Sequence, residues 1–306
     1  MPRPVPERTQ PASTDSWLTR ELLSRCVFPP PETASLCAVS GGADSLALLA
    51  LATAADLDVT AVHVDHGLRP TSAGEADVVA AAAERFGAGF RTERVVIDDG
   101  PDLEQRARLA RRAVLGTDAL TGHTADDQAE TVLINLLRGA GPTGLAAMRA
   151  GGTHPILALR RAETTALCAE LGLDPVLDPS NDDRRFLRNR IRHELLPLIA
   201  ELSKRDPVPL LCRTADHTRV LVDDLELLAA DIDPTDTRTL REQPQSVASA
   251  ALRAWLRDER GHQPSSAELD RVLAVVRHEV VACEISGHRR VSRRDGRLVL
   301  DESPPT

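Results

Sequence analysis

The segment Val39-Ser40-Gly41-Gly42-Ala43-Asp44-Ser45, followed by Leu46-Ala47-Leu48-Leu49, carries the strongest chemical signal in the chain. An apolar run enters a tight turn and a helix begins at once. Two glycines let a ligand approach the backbone, the hydroxyls of Ser40 and Ser45 add donors, and the positive end of the helix dipole faces the turn. Those features suit a phosphate. The other common phosphate loop, GxxxxGK followed by Ser or Thr, is absent because no lysine follows these glycines. A turn capped by Asp44 or Ser45 would explain a lone Ser-Gly-Gly equally well. The whole string, set between a strand and a helix, favours the anion.

A second group is Gly122-His123-Thr124-Ala125-Asp126-Asp127-Gln128-Ala129-Glu130-Thr131. Asp126 and Glu130 are four apart and Asp127 and Glu130 three apart, so a helix would gather these carboxylates on one side of its first turns. Helix capping by Thr124 and Asp127 accounts for part of the pattern. Three acids at the mouth of a nucleotide site also suit a magnesium ion or the ammonium of an amine substrate. Downstream, Leu133, Leu136 and Leu137 are expected to form the buried stripe of this helix.

The third group joins Asp178-Pro179-Ser180-Asn181 to Phe186-Leu187-Arg188-Asn189-Arg190-Ile191-Arg192-His193. Arg184, Arg185, Arg188, Arg190 and Arg192 cannot all share one helix face. They form either a solvated basic surface or a phosphate-binding set that holds nucleotide or RNA through guanidinium forks. A fourth cluster, Arg289, Arg290, Arg293, Arg294 and Arg297, surrounds a turn at Asp295-Gly296. It is either a solvated edge or an RNA patch. His63, Asp65 and His66 do not read as a metal site, since alternate strand residues face opposite ways. Asp65 is instead expected beside the nucleotide at a strand end.

Strands are expected over 35–39, 59–64, 92–97, 119–122 and 155–159. Helices are expected over 44–54, 74–86, 102–116 and 125–138. Runs such as LCAVS and VTAVHV are apolar without alternation, as parallel strands covered on both faces are. The fold class that follows is α/β, a doubly wound parallel sheet of about five strands. Ligands of such sheets sit beyond the carboxyl ends of the strands, where residues 40–44, 65–69 and 123–127 would emerge. After Asp178 a charged loop leads into a helix from about Asn189. Three further helices are expected over 215–231, 245–260 and 266–277, and then a terminal β-hairpin. The expected organisation is a flexible tail over 1–17, a nucleotide domain over 18–204 and a smaller, mainly helical domain over 205–306.

The chain has 306 residues, 37 Lys+Arg against 46 Asp+Glu, and a net charge of −9. It therefore meets a polyanion only through local basic patches. Tyr is absent, with four Phe and two Trp, so the core must be aliphatic. No stretch reaches the ~20 apolar residues of a membrane helix, and the start MPRPVPERTQPASTDS does not read as a secretory signal. Cys26, Cys37, Cys168, Cys212 and Cys283 are scattered with no CxxC, as expected for buried thiols in a reducing cytoplasm.

The loop at residues 40–45 resembles that of the N-type ATP pyrophosphatases, which split ATP to AMP and pyrophosphate while adenylating a carbonyl oxygen. All the motifs together, with VDHGLR (64–69), RGAGPTGLAAM (138–148) and DPSNDDRRFLRNRIRHELLP, resemble the tRNA(Ile)-lysidine synthetase family over about residues 34–199. That resemblance implies an adenine nucleotide alpha hydrolase-like fold and a ligase of tRNA processing. ATP adenylates the 2-carbonyl oxygen of the wobble cytidine of the CAU-anticodon tRNA(Ile), and the ε-amine of free L-lysine displaces AMP. The product, lysidine, changes codon reading from AUG to AUA.

By the same resemblance, Ser40, Gly41, Gly42, Ala43, Asp44 and Ser45 hold pyrophosphate, and Asp65 and His123 help hold the nucleotide. Asp126, Asp127 and Glu130 contact lysine or magnesium. Arg188, Arg190, Arg192 and His193 lie near the base, and Arg289, Arg290, Arg293 and Arg294 contact tRNA. Asp44, Asp127, Glu130 and Arg190 are the expected catalytic set. ATP with Mg2+, a cytoplasmic location and a homodimer complete the expectation. Arg111 and Arg112 stand where family members usually carry an aromatic. Two rivals are a tRNA thiolase built on the same loop, disfavoured by the lack of CxxC, and a non-catalytic nucleotide- or RNA-binding module.

Overall fold

The computed structural model describes residues 16–65, 72–95, 110, 113–176, 183–258 and 263–302. The tail before Ser16, most of the helix expected over 102–116, Arg111 and Arg112, and residues 66–69 and 178–181 of two motifs lie outside the described residues. The first compact unit comprises the chain through Ile134 together with Ala147–Cys212, and the second comprises Asn135–Ala146 with the chain from Arg213 onward.

In the first unit, α1 (Trp17–Leu23) is capped by the Ser16 hydroxyl, which accepts from the Thr19 N–H at 2.9 Å. Then come β1 (Ala34–Ala38), α2 (Ala43–Ala54), β2 (Asp58–Asp65), α3 (Ser72–Phe86), β3 (Gly89–Arg94), β4 (Leu120–Thr121) and α4 (Ala125–Leu137). All strand pairs are parallel, in the order β3-β2-β1-β4. The chain reverses its winding between β1 and β4, so the loop after β1 opens at the switch point where doubly wound sheets bind ligands. Helix α2 is apolar on every side, and residues 46–52 are wholly buried. An all-round apolar helix must lie in the core. There it packs with Cys37, Val39, Ile156, Leu159, Leu167 and Cys168.

The expected strand at 155–159 is absent. Those residues form turns, Gly151 and His154 make a single antiparallel bridge, and four strands are described in this sheet. A helix not anticipated from sequence, α6 (Arg161–Glu170), follows α5 (Pro142–Leu145). After residue 183 come α7 (Leu187–Arg190), a π-helical turn (Ile191–Leu195) and α8 (Leu196–Ser203). Ile191 and Leu196 bury against Ala125, Ala129 and Leu133 of α4. Leu136 and Leu137 do not continue that stripe. They are more than half exposed, because the chain turns at Gly139 (φ +70°) just after the helix ends.

The second unit is built from most of α9 (Pro207–Ala229), then α10 (Thr237–Glu242), α11 (Gln245–Trp255), α12 (Ser266–Val276) and an antiparallel sheet of β5 (Ala282–Ile285), β6 (Arg289–Arg294) and β7 (Arg297–Glu302). Its core is aliphatic, with Leu240, Leu252, Leu256, Val272, Val275 and Val291 among its buried members.

Candidate active site

The loop after β1 turns at Gly41, whose φ of +88° favours glycine, and Gly42 starts α2 with no side-chain cap. The first-turn N–H groups are thus left to an anion. The Ser45 hydroxyl folds back inside the loop, donating to the Gly42 carbonyl at 2.8 Å and accepting from the Ser40 N–H at 3.2 Å. Ser45 is therefore a buried brace, while Ser40 is exposed. Gly122 closes the loop from the other side. A Cβ there would sit 2.7 Å from the Asp44 carbonyl oxygen, so β4 can end against α2 only through a glycine.

A cleft of about 1040 Å³ opens above this loop, lined among others by Ser40, Gly42, Asp44, Val62, Val64, His123, Asp127, Arg161 and Arg192. Val62 and Val64 face it from β2, and Asp65 lies on the alternate face with buried His63. His123 stands on the far wall. Its Nδ1 lies 2.8 Å from the Thr121 hydroxyl, and its ring meets that of His154 edge-on at 4.9 Å.

The acids of α4 separate. Asp127 accepts from the Thr124 N–H and hydroxyl at 2.9 and 3.0 Å and from Arg161 at 3.0 Å. Glu130 is fully buried and meets three guanidiniums: Arg161 at 3.3 Å, Arg188 at 3.0 Å and Arg192 at 2.7 Å. Asp126 instead accepts from Arg160 Nε at 3.0 Å and the Arg161 N–H at 2.8 Å. It does not share the cluster of Asp127 and Glu130, contrary to the helix-face expectation. Asp44 completes that cluster from α2, accepting from the Thr164 hydroxyl and from Arg161 Nε at 3.4 Å.

Burial pushes the Asp44 carboxyl above its ordinary value, and Thr164 and Arg161 offset this only in part. Asp127 is buried too, but Arg161 and the Thr124 N–H outweigh burial and hold it below the usual range. Asp126 is likewise held low, by Arg160 and the Arg161 backbone against burial. Arg161 is pushed down by burial and up more strongly by Asp127, Glu130 and Asp44.

Arg188 and Arg192 both reach Glu130 because residues four apart share a helix face, Arg188 in α7 and Arg192 in the π-helical turn that follows. Rare turns of this kind favour functional positions. Arg190 does not enter. It is exposed and pairs with Glu194 at 3.3 Å, apart from the guanidiniums gathered on Glu130. His193 is also exposed. Arg160, Arg161 and Thr164 were missed because α6 was missed. The available signal was Glu163, whose side chain accepts from the Arg160 N–H at 2.7 Å in a capping arrangement.

The terminal arginines are not one patch. Arg289 is buried, donating to the Leu256 carbonyl at 2.9 Å, so it holds the unit together rather than facing a ligand. The register places Arg293 on that same inner side with Val291. Arg290 and Arg294 share the outer face, beside Glu284 at 4.0 Å and Asp301 at 3.5 Å respectively. Arg297 pairs with Asp233 at 2.9 Å.

A family model described as a PP-loop domain matches residues 18–199. A tRNA(Ile)-lysidine synthase from Nocardia farcinica is 41% identical over 278 residues, covering 85% of each chain. Another from Mycobacterium tuberculosis is 36% identical over 299 residues, covering 87% of this chain and 90% of its own. The chain belongs to the tRNA(Ile)-lysidine synthase family of PP-loop proteins. Among solved structures, the U34-tRNA thiolase NcsA from Methanococcus maripaludis shares the fold, with a TM-score of 0.55 over 65% of this chain and 76% of its own at 16% identity. The residues that line the cleft of this chain all fall within the matched segment 18–199. The expected fold class and the family resemblance both hold.

Proposed function

We propose that the chain ligates L-lysine to C2 of the wobble cytidine of the CAU-anticodon tRNA(Ile), with ATP as the activating substrate. One observation carries the reading: the phosphate loop, Asp44, Asp127 and Arg192 of the FLRNRIRH segment line one cleft, and buried Glu130 joins Arg192 and Arg188 to the acid helix. The loop backbone would hold the pyrophosphate portion of ATP, and Arg192, which lines the cleft, would face the anionic leaving group. Catalysis is then mainly positioning and charge stabilisation. The lysine amine must lose a proton before attack. Asp44, pushed up by burial, is the better acceptor among these acids, since a base works best near the operating pH. We put the ammonium beside Asp44 and Asp127, which line the cleft, rather than on Glu130, which has no exposed surface and lies among three guanidiniums.

Magnesium does not fit these carboxylates as they stand. Both oxygens of Asp44, Asp127 and Glu130 accept from hydroxyls, an N–H or guanidiniums, which leaves no oxygen-lined cage. A thiolase reading is opposed by the cysteines. Burial pushes the thiols of Cys26, Cys37 and Cys168 up to about 12, so none is a ready thiolate.

No described helix is long and apolar enough to cross a membrane, and we place the reaction in the cytoplasm. The second unit would hold tRNA through Arg290, Arg294 and Arg297. The test supplies labelled lysine, ATP, magnesium and an unmodified isoleucine tRNA transcript with a CAU anticodon. Label in the RNA, with pyrophosphate released only when tRNA is present, is the expected result. Pyrophosphate without labelled RNA would overturn the reading.

A further inference from the structure

Arg161 is the only described side chain within ion-pair distance of Asp44, Asp127 and Glu130 at once, at 3.4, 3.0 and 3.3 Å. Those acids come from different places: Asp44 from the first turn of α2, directly after the phosphate loop, and the other two from α4. The arginine itself opens α6, whose own first residue it is. Its backbone is fixed as well, since its N–H donates to Asp126 at 2.8 Å. Thr164, one turn on, then donates to the second oxygen of Asp44.

Three elements are thus joined at one guanidinium. A planar fork with donors in fixed directions can do this, whereas a flexible ammonium makes fewer simultaneous contacts. Carboxylates gathered this closely repel one another, and a central cation removes that repulsion. The cation lies on the cleft wall and is about a quarter exposed, so its geometry sets the shape of the floor that reactants meet.

We propose that Arg161 is a positioning residue of the ligation reaction: it holds Asp44 in register with Asp127 and Glu130, and so fixes the acids relative to the phosphate loop. The proposal rests on the ligase reading above. It also explains why α6 docks where it does, with Leu167 and Cys168 buried against α2 and the Cys168 thiol donating to the Ala43 carbonyl at 3.3 Å.

Arg161→Ala and Arg161→Lys, both checked for a native melting transition and for ATP binding, separate this role from a merely structural one. In single turnover, Arg161→Ala should lose about a hundredfold in lysine transfer, as expected when reacting groups are slightly misplaced. ATP affinity should change less than about threefold, since the loop backbone is untouched. Arg161→Lys restores the charge and should recover part of the loss. Added guanidinium ion should raise transfer by Arg161→Ala and leave wild type unchanged. Transfer at the wild-type rate in folded Arg161→Ala would overturn the proposal, as would a failure of both lysine and guanidinium to recover any rate. Wild-type protein that puts no label into tRNA would instead overturn the ligase reading, and the proposal with it.

Discussion

Arg192 donates through Nε to Glu130 at 2.7 Å, joining positions 62 apart in sequence and tying the basic FLRNRIRH segment to the acid helix. Glu130 has no exposed surface, and its other neighbours are Arg161 and Arg188. A sequence reading places an amine or a metal at this carboxylate, whereas the fold places three of its own cations there.

Glu130→Gln should therefore destabilise the first unit. Removing one partner of a buried ionic cluster typically costs ~3–5 kcal/mol, because the remaining charges lose their counter-ion. Thermal unfolding should show a clear drop in midpoint. Adenylation and lysine transfer should fall together. A normal midpoint with transfer alone depressed would return Glu130 to a direct role with the amine.

Gly42→Val and Gly122→Ala should fail in opposite ways. A Cβ at Gly42 meets only the Ser40 hydroxyl, at an ordinary 3.7 Å, and φ there is −73°. The valine variant should fold and release pyrophosphate roughly ten- to a hundredfold more slowly, the scale of removing one charge-assisted hydrogen bond. A Cβ at Gly122 would lie 2.7 Å from the Asp44 carbonyl, so even alanine should lower stability. Wild-type turnover by folded Gly42→Val would remove the phosphate assignment.

Reversing Arg290, Arg294 and Arg297 to Glu should weaken tRNA binding and leave ATP affinity unchanged. Every phosphate that the variant no longer neutralises should flatten the log–log salt dependence by about 0.9, by analogy with duplex DNA. Arg289→Ala should behave differently, lowering stability, because Arg289 donates inside the unit to Leu256 and Ser286. A salt slope unaltered by the triple reversal would leave RNA binding to the basic segment near Arg188.

Glu268 gives the second unit a pH limit. It sits at the third position of α12, pairs with the Ser265 N–H and hydroxyl, and accepts from the Ser286 N–H at 2.5 Å. Burial opposes its charge, but these donors outweigh it and bring its pKa down to about 2, below the ordinary 4.5. A depressed carboxylate stabilises the fold fully above its unfolded pKa. That contribution fades as pH falls from about 4.5 towards 2. Chemical denaturation at pH 6 and pH 3 should show the second unit weakening in acid, and Glu268→Gln should be weaker at pH 6 with a smaller further loss. An equal acid loss in both proteins would assign the effect to other carboxylates.

Much of this chain is legible residue by residue, because local chemistry dictates it. The glycines of the phosphate loop, the apolar runs of β1 and β2, the apolar stretch 46–52 of α2 and the Asp295-Gly296 turn each specify their own backbone. The fold class and family could be read from them. The pairing of charges across distance is settled only in the folded chain. Asp126 and Asp127 are neighbours, yet the guanidinium of Arg160 pairs with the first and that of Arg161 with the second, both at the start of α6. Arg188 and Arg192 share a helix face by their spacing, but that face meets Glu130 only because Ile191 and Leu196 bury against α4. Arg289 is inside and Arg290 outside, because strand register alternates. A charge in a sequence has a sign but no partner, and partners are fixed only when elements that bury apolar faces bring distant residues within a few ångströms.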